Sequence, residues 1–175
     1  VIMEGLLGGK LAKAPDNVQA LYDAFPVKRS PVEWAFRWLC NHPEVATVLS
    51  GVTSMEQCDD NLSIFDRCKV GVMTEAEEEL IARVREAYKS RTKVGCTGCR
   101  YCMPCPNGVD IPRIFAIWNN RFLYNEKLEG NGEYKRLCDE GHGADKCVEC
   151  GECEGICPQH LGIIELLKKA DSEMR

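Results

Sequence analysis

"KCVECGECEGICPQ", residues 146–159, places Cys147, Cys150, Cys153 and Cys157 within eleven residues. "GCTGCRYCMPCPNG", residues 95–108, places Cys96, Cys99, Cys102 and Cys105 within ten. Of the 12 cysteines in the chain, nine lie between Cys96 and Cys157, and only Cys40, Cys58 and Cys68 come earlier. Clustered cysteines with no secretory signal ahead of them more often bind metal than form disulfides, so a reducing compartment is expected.

The later block has the spacing C-x2-C-x2-C-x3-C-P, the run that holds iron–sulfur clusters in bacterial ferredoxins. Closely spaced thiolates on a tightly curled chain can cap three irons of one cubane. The fourth, followed by Pro158, is carried away to ligate the other cluster. The earlier block is C-x2-C-x2-C-x2-C-P, one residue short in its last gap, which leaves the role of Cys105 more open than that of Cys157. The expectation is a crossed pair of [4Fe-4S] clusters. One uses Cys96, Cys99, Cys102 and Cys157; the other uses Cys147, Cys150, Cys153 and Cys105. Zinc is the rival metal, although it wants only four ligands in total. Cys40, Cys68 and Cys138 have no partner at ligand spacing and, with Cys58, read as structural. Of the scattered histidines, His42, His142 and His160, only His160 is near enough to a block to tune a cluster by hydrogen bonding, and a surface position is its other reading.

Composition excludes several classes. With 22 basic and 27 acidic residues the net charge is −5, and no basic run points to nucleic acid. No apolar stretch approaches the roughly 18 residues of a membrane span, and the amino end lacks a signal-peptide layout. A cytoplasmic location is expected. The first residue is Val1, and "VIMEGLLGGK" already reads as a strand entering a glycine turn, so the chain is expected to continue upstream in a larger protein.

The first half alternates strand and helix patterns. In "SPVEWAFRWL", Ser30 reads as N-cap, Pro31 as the first helical residue and Glu33 as the capping-box partner. Val32, Ala35, Phe36 and Leu39 form its apolar stripe. "EVATVLSG" reads as a strand ending at Gly51. A second helix starts at Ser54, with Gln57 closing its cap and Met55, Cys58, Leu62 and Phe65 facing inward. A third is capped by Thr74 and Glu77, with Leu80, Ile81, Val84, Ala87 and Tyr88 on one face. This alternation predicts a parallel α/β sheet or barrel. From about Ser90 the pattern changes: "KSRTKVG" reads as a polar linker. Asp110 caps a helix bearing Ile111, Ile114, Phe115, Trp118 and Phe122, a weaker helix covers "GEYKRLCDE", and a terminal helix runs from Ile163 to Met174.

The stretches "MEGLLGGKLA", "SPVEWAFRWLCNHPEVATVLSGVTSMEQCDDNL", "CTGCRYCMPCPNGVDIP" and "CVECGECEGICPQHLGI" together resemble the carboxyl-terminal part of an aldo/keto reductase with an appended ferredoxin-like domain. The resemblance implies α/β plus α architecture. Residues 1–92 would be the last two strand–helix units of a (β/α)8 TIM barrel and a following helix. Residues 93–175 would be a mainly helical two-cluster domain. The active site of such a barrel lies at the carboxyl ends of its strands. The resemblance implies that Gly51, Thr53, Ser54, Gln57 and Asn61 contact the adenosine end of NADP(H), with Gly5 and Leu6 near its pyrophosphate. The local reading of "SGVTSMEQ" is simply a good strand-to-helix turn. The catalytic Asp, Tyr, Lys and His of that family have no counterparts here, so this chain alone is expected to be inactive toward carbonyls.

The leading expectation is an iron–sulfur oxidoreductase whose clusters relay electrons to a redox partner, with a small carbonyl substrate in the complete protein. Two rivals stand beside it: purely structural clusters that pin a lid or an oligomer contact, and a freestanding ferredoxin-like carrier. Oligomeric state is not specified by any motif.

Overall fold

The computed structural model describes residues 1–124 and 127–175, with the backbone alone for 127–131. The chain divides into two compact units, Val1–Ser90 and Arg91–Arg175.

The first unit is built from four helices: α1 (Asp16–Ala24), α2 (Pro31–Cys40), α3 (Met55–Asp66) and α4 (Glu75–Lys89). Their starts follow from local chemistry. Ser30 accepts the N–H of Glu33 at 3.1 Å with Pro31 at the first helical position, and Ser54 accepts that of Gln57 at 3.2 Å. Thr74 and Glu77 form a complete capping box on α4. Such side chains satisfy N–H groups that have no partner inside the helix. Val18, Tyr22, Trp34, Leu80 and Val84 make one core, joining α1, α2 and α4. Phe36, Leu39 and Ile64 make a second, smaller one between α2 and α3.

The expected barrel units are not formed. Among the described residues there is no β-strand, only an isolated parallel bridge between Ile2 and Val48. Ile2 donates to the Thr47 carbonyl at 2.8 Å and accepts from Leu49 at 2.9 Å, and the ladder stops there. Two lone segments gain little by extending their pairing, because each further residue would still have an unpartnered edge in water. The β-branched run 45–49 therefore satisfies the strand pattern without a sheet to join. The inward face assigned to α3 is also corrected. Met55 is 73% exposed and Leu62 64%, whereas Ile64 is 1% exposed and carries the packing. Helix α1 had no counterpart in the pattern reading.

The second unit contains α5 (Ile111–Leu123), α6 (Lys127–Asp139), the single-turn α7 (Glu152–Gly155) and α8 (Ile163–Met174). Here the sequence pattern and the helices agree closely. Asp110 caps α5 through the N–H of Arg113 at 3.4 Å. Ile111, Ile114, Phe115, Ile117 and Trp118 are buried together with Tyr134, Leu137, Ile163, Leu167, Ala170 and Met174 in one continuous core. The segment read as a polar linker is instead fastened to α5. Asn119 accepts the N–H groups of Lys93 and Val94 at 2.9 and 3.1 Å and donates to the Val94 carbonyl at 2.8 Å. Val94 is 4% exposed. No helix among the described residues is long and apolar enough to cross a membrane.

Candidate metal centre

The two cysteine blocks share one backbone curl although their glycines are exchanged. Counting from the first cysteine of each, the second and fourth following residues are left-handed. In the first block these are Gly98 (φ 69°) and Arg100 (φ 64°); in the second they are Glu149 (φ 60°) and Gly151 (φ 80°). Left-handed turns at these two places wind each run of three cysteines around a common centre. A left-handed non-glycine residue costs on the order of 1–2 kcal/mol, so each block carries one such cost at a different position.

Two pockets lie at these curls. One, of about 340 Å³, is lined by Cys96, Cys99, Cys102 and Cys157, with walls from Ile111, Phe115, Leu161 and Ile163. The other, of about 480 Å³, is lined by Cys105, Cys147, Cys150 and Cys153, with Cys102 also reaching it and walls from Val109, Ile111, Ile164 and Leu167. Cys102 and Ile111 line both, so the pockets are neighbours. All eight cysteines are free thiols, and only Cys99 and Cys150 are exposed. Among the described residues no three cysteines, histidines or carboxylates are grouped as the ligands of one metal ion. A structural zinc needs four ligands in all; the eight cysteines at two neighbouring pockets are twice that number of thiophilic donors.

Burial raises the Cys102 thiol, and the neighbouring sulfurs of Cys96, Cys99 and Cys157 push the same way. Burial likewise pushes Cys153 up to about 11, with Glu154 adding to it. Burial thus disfavours the thiolate at Cys102 and Cys153, and a bound metal cation would favour it.

Three contacts position the cysteine runs, and none was visible in the motif spacing. His142 Nδ1 lies 2.7 Å from the Gly108 carbonyl. A carbonyl only accepts, so Nδ1 carries the hydrogen. Asp110 N–H donates back to the His142 carbonyl at 3.1 Å, and this pair of bonds ties the exit of the first block to the approach to the second. Glu154, between Cys153 and Cys157, accepts the N–H of Ile164 at 2.8 Å. It thereby caps α8, whose own N-cap, Gly162, has no side chain to do so. Asn119 holds the run into Cys96. Only Glu154 left a signal, as a carboxylate shortly before a helix that starts at glycine. His160 is exposed, which fits its surface reading.

The residues assigned by resemblance to NADP(H) lie in the first unit, and Thr53, Ser54 and Gln57 bond among themselves. Gln57 Oε1 accepts from the Thr53 N–H at 2.9 Å and from its hydroxyl at 3.2 Å, while Ser54 caps α3. Asn61 donates to Ser50 at 3.0 Å. Gly5 is packed so closely that a Cβ there would come 2.8 Å from Leu39 Cδ1, with Leu6 next to it partly buried; Gly51 faces open space.

Residues 95–161 match the 4Fe-4S dicluster domain family. The second unit is accordingly an iron–sulfur domain. The match lies wholly inside that unit and does not extend to residues 1–90. No curated protein and no solved structure matches the chain.

Proposed function

We propose that the second unit is an electron-transfer domain holding two [4Fe-4S] clusters. Cys96, Cys99, Cys102 and Cys157 hold one, and Cys105, Cys147, Cys150 and Cys153 hold the other. The observation that carries this reading is that one pocket is lined by the first three sulfurs of the first block with Cys157, and the other by the first three of the second block with Cys105, Cys102 reaching both. The dicluster family match supports the metal and its number. Bound there, such clusters supply reversible one-electron chemistry, with potentials set by hydrogen bonding, charge and burial.

The chain's own residues supply the surroundings. Ile111, Phe115, Leu161, Ile163 and Leu167 exclude water from the inner walls. Cys99 and Cys150, the exposed sulfur of each set, mark the edges at which a donor or acceptor approaches. The partner is a one-electron carrier that reaches one of these edges. The nicotinamide part of the aldo/keto reductase resemblance is not carried into the proposal, because the polar groups of the Ser54 turn are already paired with one another.

A structural role is the second reading. Cys96, Cys102, Cys105, Cys147, Cys153 and Cys157 all pack against the apolar core, so whatever they bind also braces it. Iron, acid-labile sulfide and zinc per chain, followed by dithionite titration under EPR, decide between the two. About eight irons and eight sulfides with reversible reduction are expected. Clusters that resist reduction, or a domain that unfolds on reduction, favour the brace. Zinc in place of iron overturns the electron-transfer reading and leaves a metal-pinned structural domain. The ligand sets are tested by Cys105→Ala, which should lose the iron of the second pocket; full iron retention sinks that assignment.

A further inference from the structure

Cys105 and Cys147 line the same pocket although they belong to different blocks, and the segments that carry them meet at His142. From Cys105 the chain turns at once, with the Gly108 N–H donating to the Cys105 carbonyl at 2.9 Å. The Gly108 carbonyl, at the far end of that turn, accepts the Nδ1 hydrogen of His142 at 2.7 Å. Two residues on, the Asp110 N–H returns a bond to the His142 carbonyl at 3.1 Å. Between these two bonds lies Val109, buried and part of the pocket wall. His142 is itself anchored, because its N–H donates to the carbonyl of the buried Leu137 on α6 at 2.9 Å. The crossing is close: Gly108 (φ 78°) and Gly141 (φ 85°) are both left-handed, and a Cβ on Gly108 would touch the Gly141 carbonyl oxygen at 3.8 Å. The residue is nevertheless exposed, so its ring contributes a directed hydrogen bond rather than core packing.

We propose that His142 is a positioning residue for the second cluster: by holding Gly108, it sets where Cys105 stands relative to Cys147. The inference rests on the two-cluster reading and adds to it a residue outside both cysteine runs. Because the turn begins at Cys105 itself, a bond lost at Gly108 frees the turn together with its sulfur. The first pocket is lined by Cys96, Cys99, Cys102 and Cys157, none of which belongs to that turn. The influence of His142 is therefore confined to one of the two clusters. Partners that orient metal ligands in this way typically contribute about 10–100-fold in metal affinity.

The test uses the whole chain, purified without oxygen and with its metal in place. His142→Asn keeps an N–H donor at the same number of bonds from Cα as Nδ1, whereas His142→Leu removes it. Iron is drawn off with graded chelator while EPR of the dithionite-reduced protein follows each cluster; the signal missing from Cys105→Ala marks the second pocket. His142→Leu is expected to lose that signal at roughly tenfold less chelator than the wild type, with the other signal unchanged. His142→Asn is expected to restore the wild-type profile. Equal sensitivity of both signals in His142→Leu overturns the proposal, as does a wild-type profile in that variant or a failure of His142→Asn to restore one. If His142→Leu does not fold, His142→Gln, which moves the amide one bond outward, takes its place against His142→Asn. Failure of the two-cluster reading shows separately, as a wild type holding fewer than about eight irons.

Discussion

The two units solve the problem of holding a short chain together in different ways. The first uses two small cores either side of α2, with side-chain caps on α2, α3 and α4. The second has one continuous core, but six of the cluster-run cysteines form part of its boundary. Its apolar residues pack against sulfurs of both blocks, and burial raises the thiols of Cys102 and Cys153. The difference teaches where the cysteine runs enter the folding balance: as a wall of the core of the second unit.

Iron removal should break that comparison most sharply. Chelation under anaerobic conditions is expected to abolish amide protection across Cys96–Cys157 and in α5 and α8, while α1 and α4 stay slow to exchange. The reason is that metal binding to such sites contributes on the order of 10 kcal/mol of folding free energy. Equal loss in both units would show that the metal braces the whole chain.

Trp118→Ala comes next. Trp118 is 0% exposed and donates from Nε1 to Glu173 at 2.9 Å, so its removal should cost about 3–5 kcal/mol in chemical denaturation of the second unit. Trp34, equally buried in the first unit, has no hydrogen-bond partner for its Nε1. Trp34→Phe should therefore be the milder indole replacement of the two, read from the midpoints of both variants.

Gly143→Ala tests packing beside the second block. A Cβ there would collide with Asp145 Oδ1 and lie 2.6 Å from Cys138 Sγ, so a loss of about 1–3 kcal/mol is expected. Gly151→Ala probes conformation without collision, since nothing lies within 4 Å of the added carbon. Its φ of 80° alone should cost about 1–2 kcal/mol, measured as a lower denaturation midpoint of the holo protein.

The smallest effect concerns pH and the first unit. Burial would raise the Glu77 carboxyl, but the Thr74 N–H and the Arg29 guanidinium outweigh it and hold the group below its usual 4.5. A depressed carboxyl gives its full stabilisation above the unfolded value and loses it as pH falls through the folded one. The first unit should therefore weaken from about pH 4.5 downward. Glu77→Gln should flatten that part of the profile in a thermal-melt series.

How much of this was legible in residues alone differs between the units for the same reason. Ser30, Ser54, Thr74 and Asp110 announce helix starts because capping is a local exchange between a side chain and an N–H three residues on. The α5 stripe and the α8 limits are local too, and the cysteine spacing is a motif of one short segment. The run at residues 45–49 misled because its β-branched residues carry strand preference, while a sheet depends on neighbours that no local pattern supplies. Met55 and Leu62 misled because an apolar stripe predicts a face, not what meets it. His142, Glu154 and Asn119 act on carbonyls and N–H groups far along the chain, and a hydrogen bond across such distances leaves no periodicity to read.

The exchange of last sulfurs between the two pockets has a consequence for how the protein is made. Neither block, once synthesised, possesses a full set. In the proposed ligand sets, the pocket of Cys96, Cys99 and Cys102 waits for Cys157, which is synthesised only with the second block. Under the proposed ligand sets, cofactor loading waits for both blocks, and a chain arrested between them would carry an open, half-dressed site.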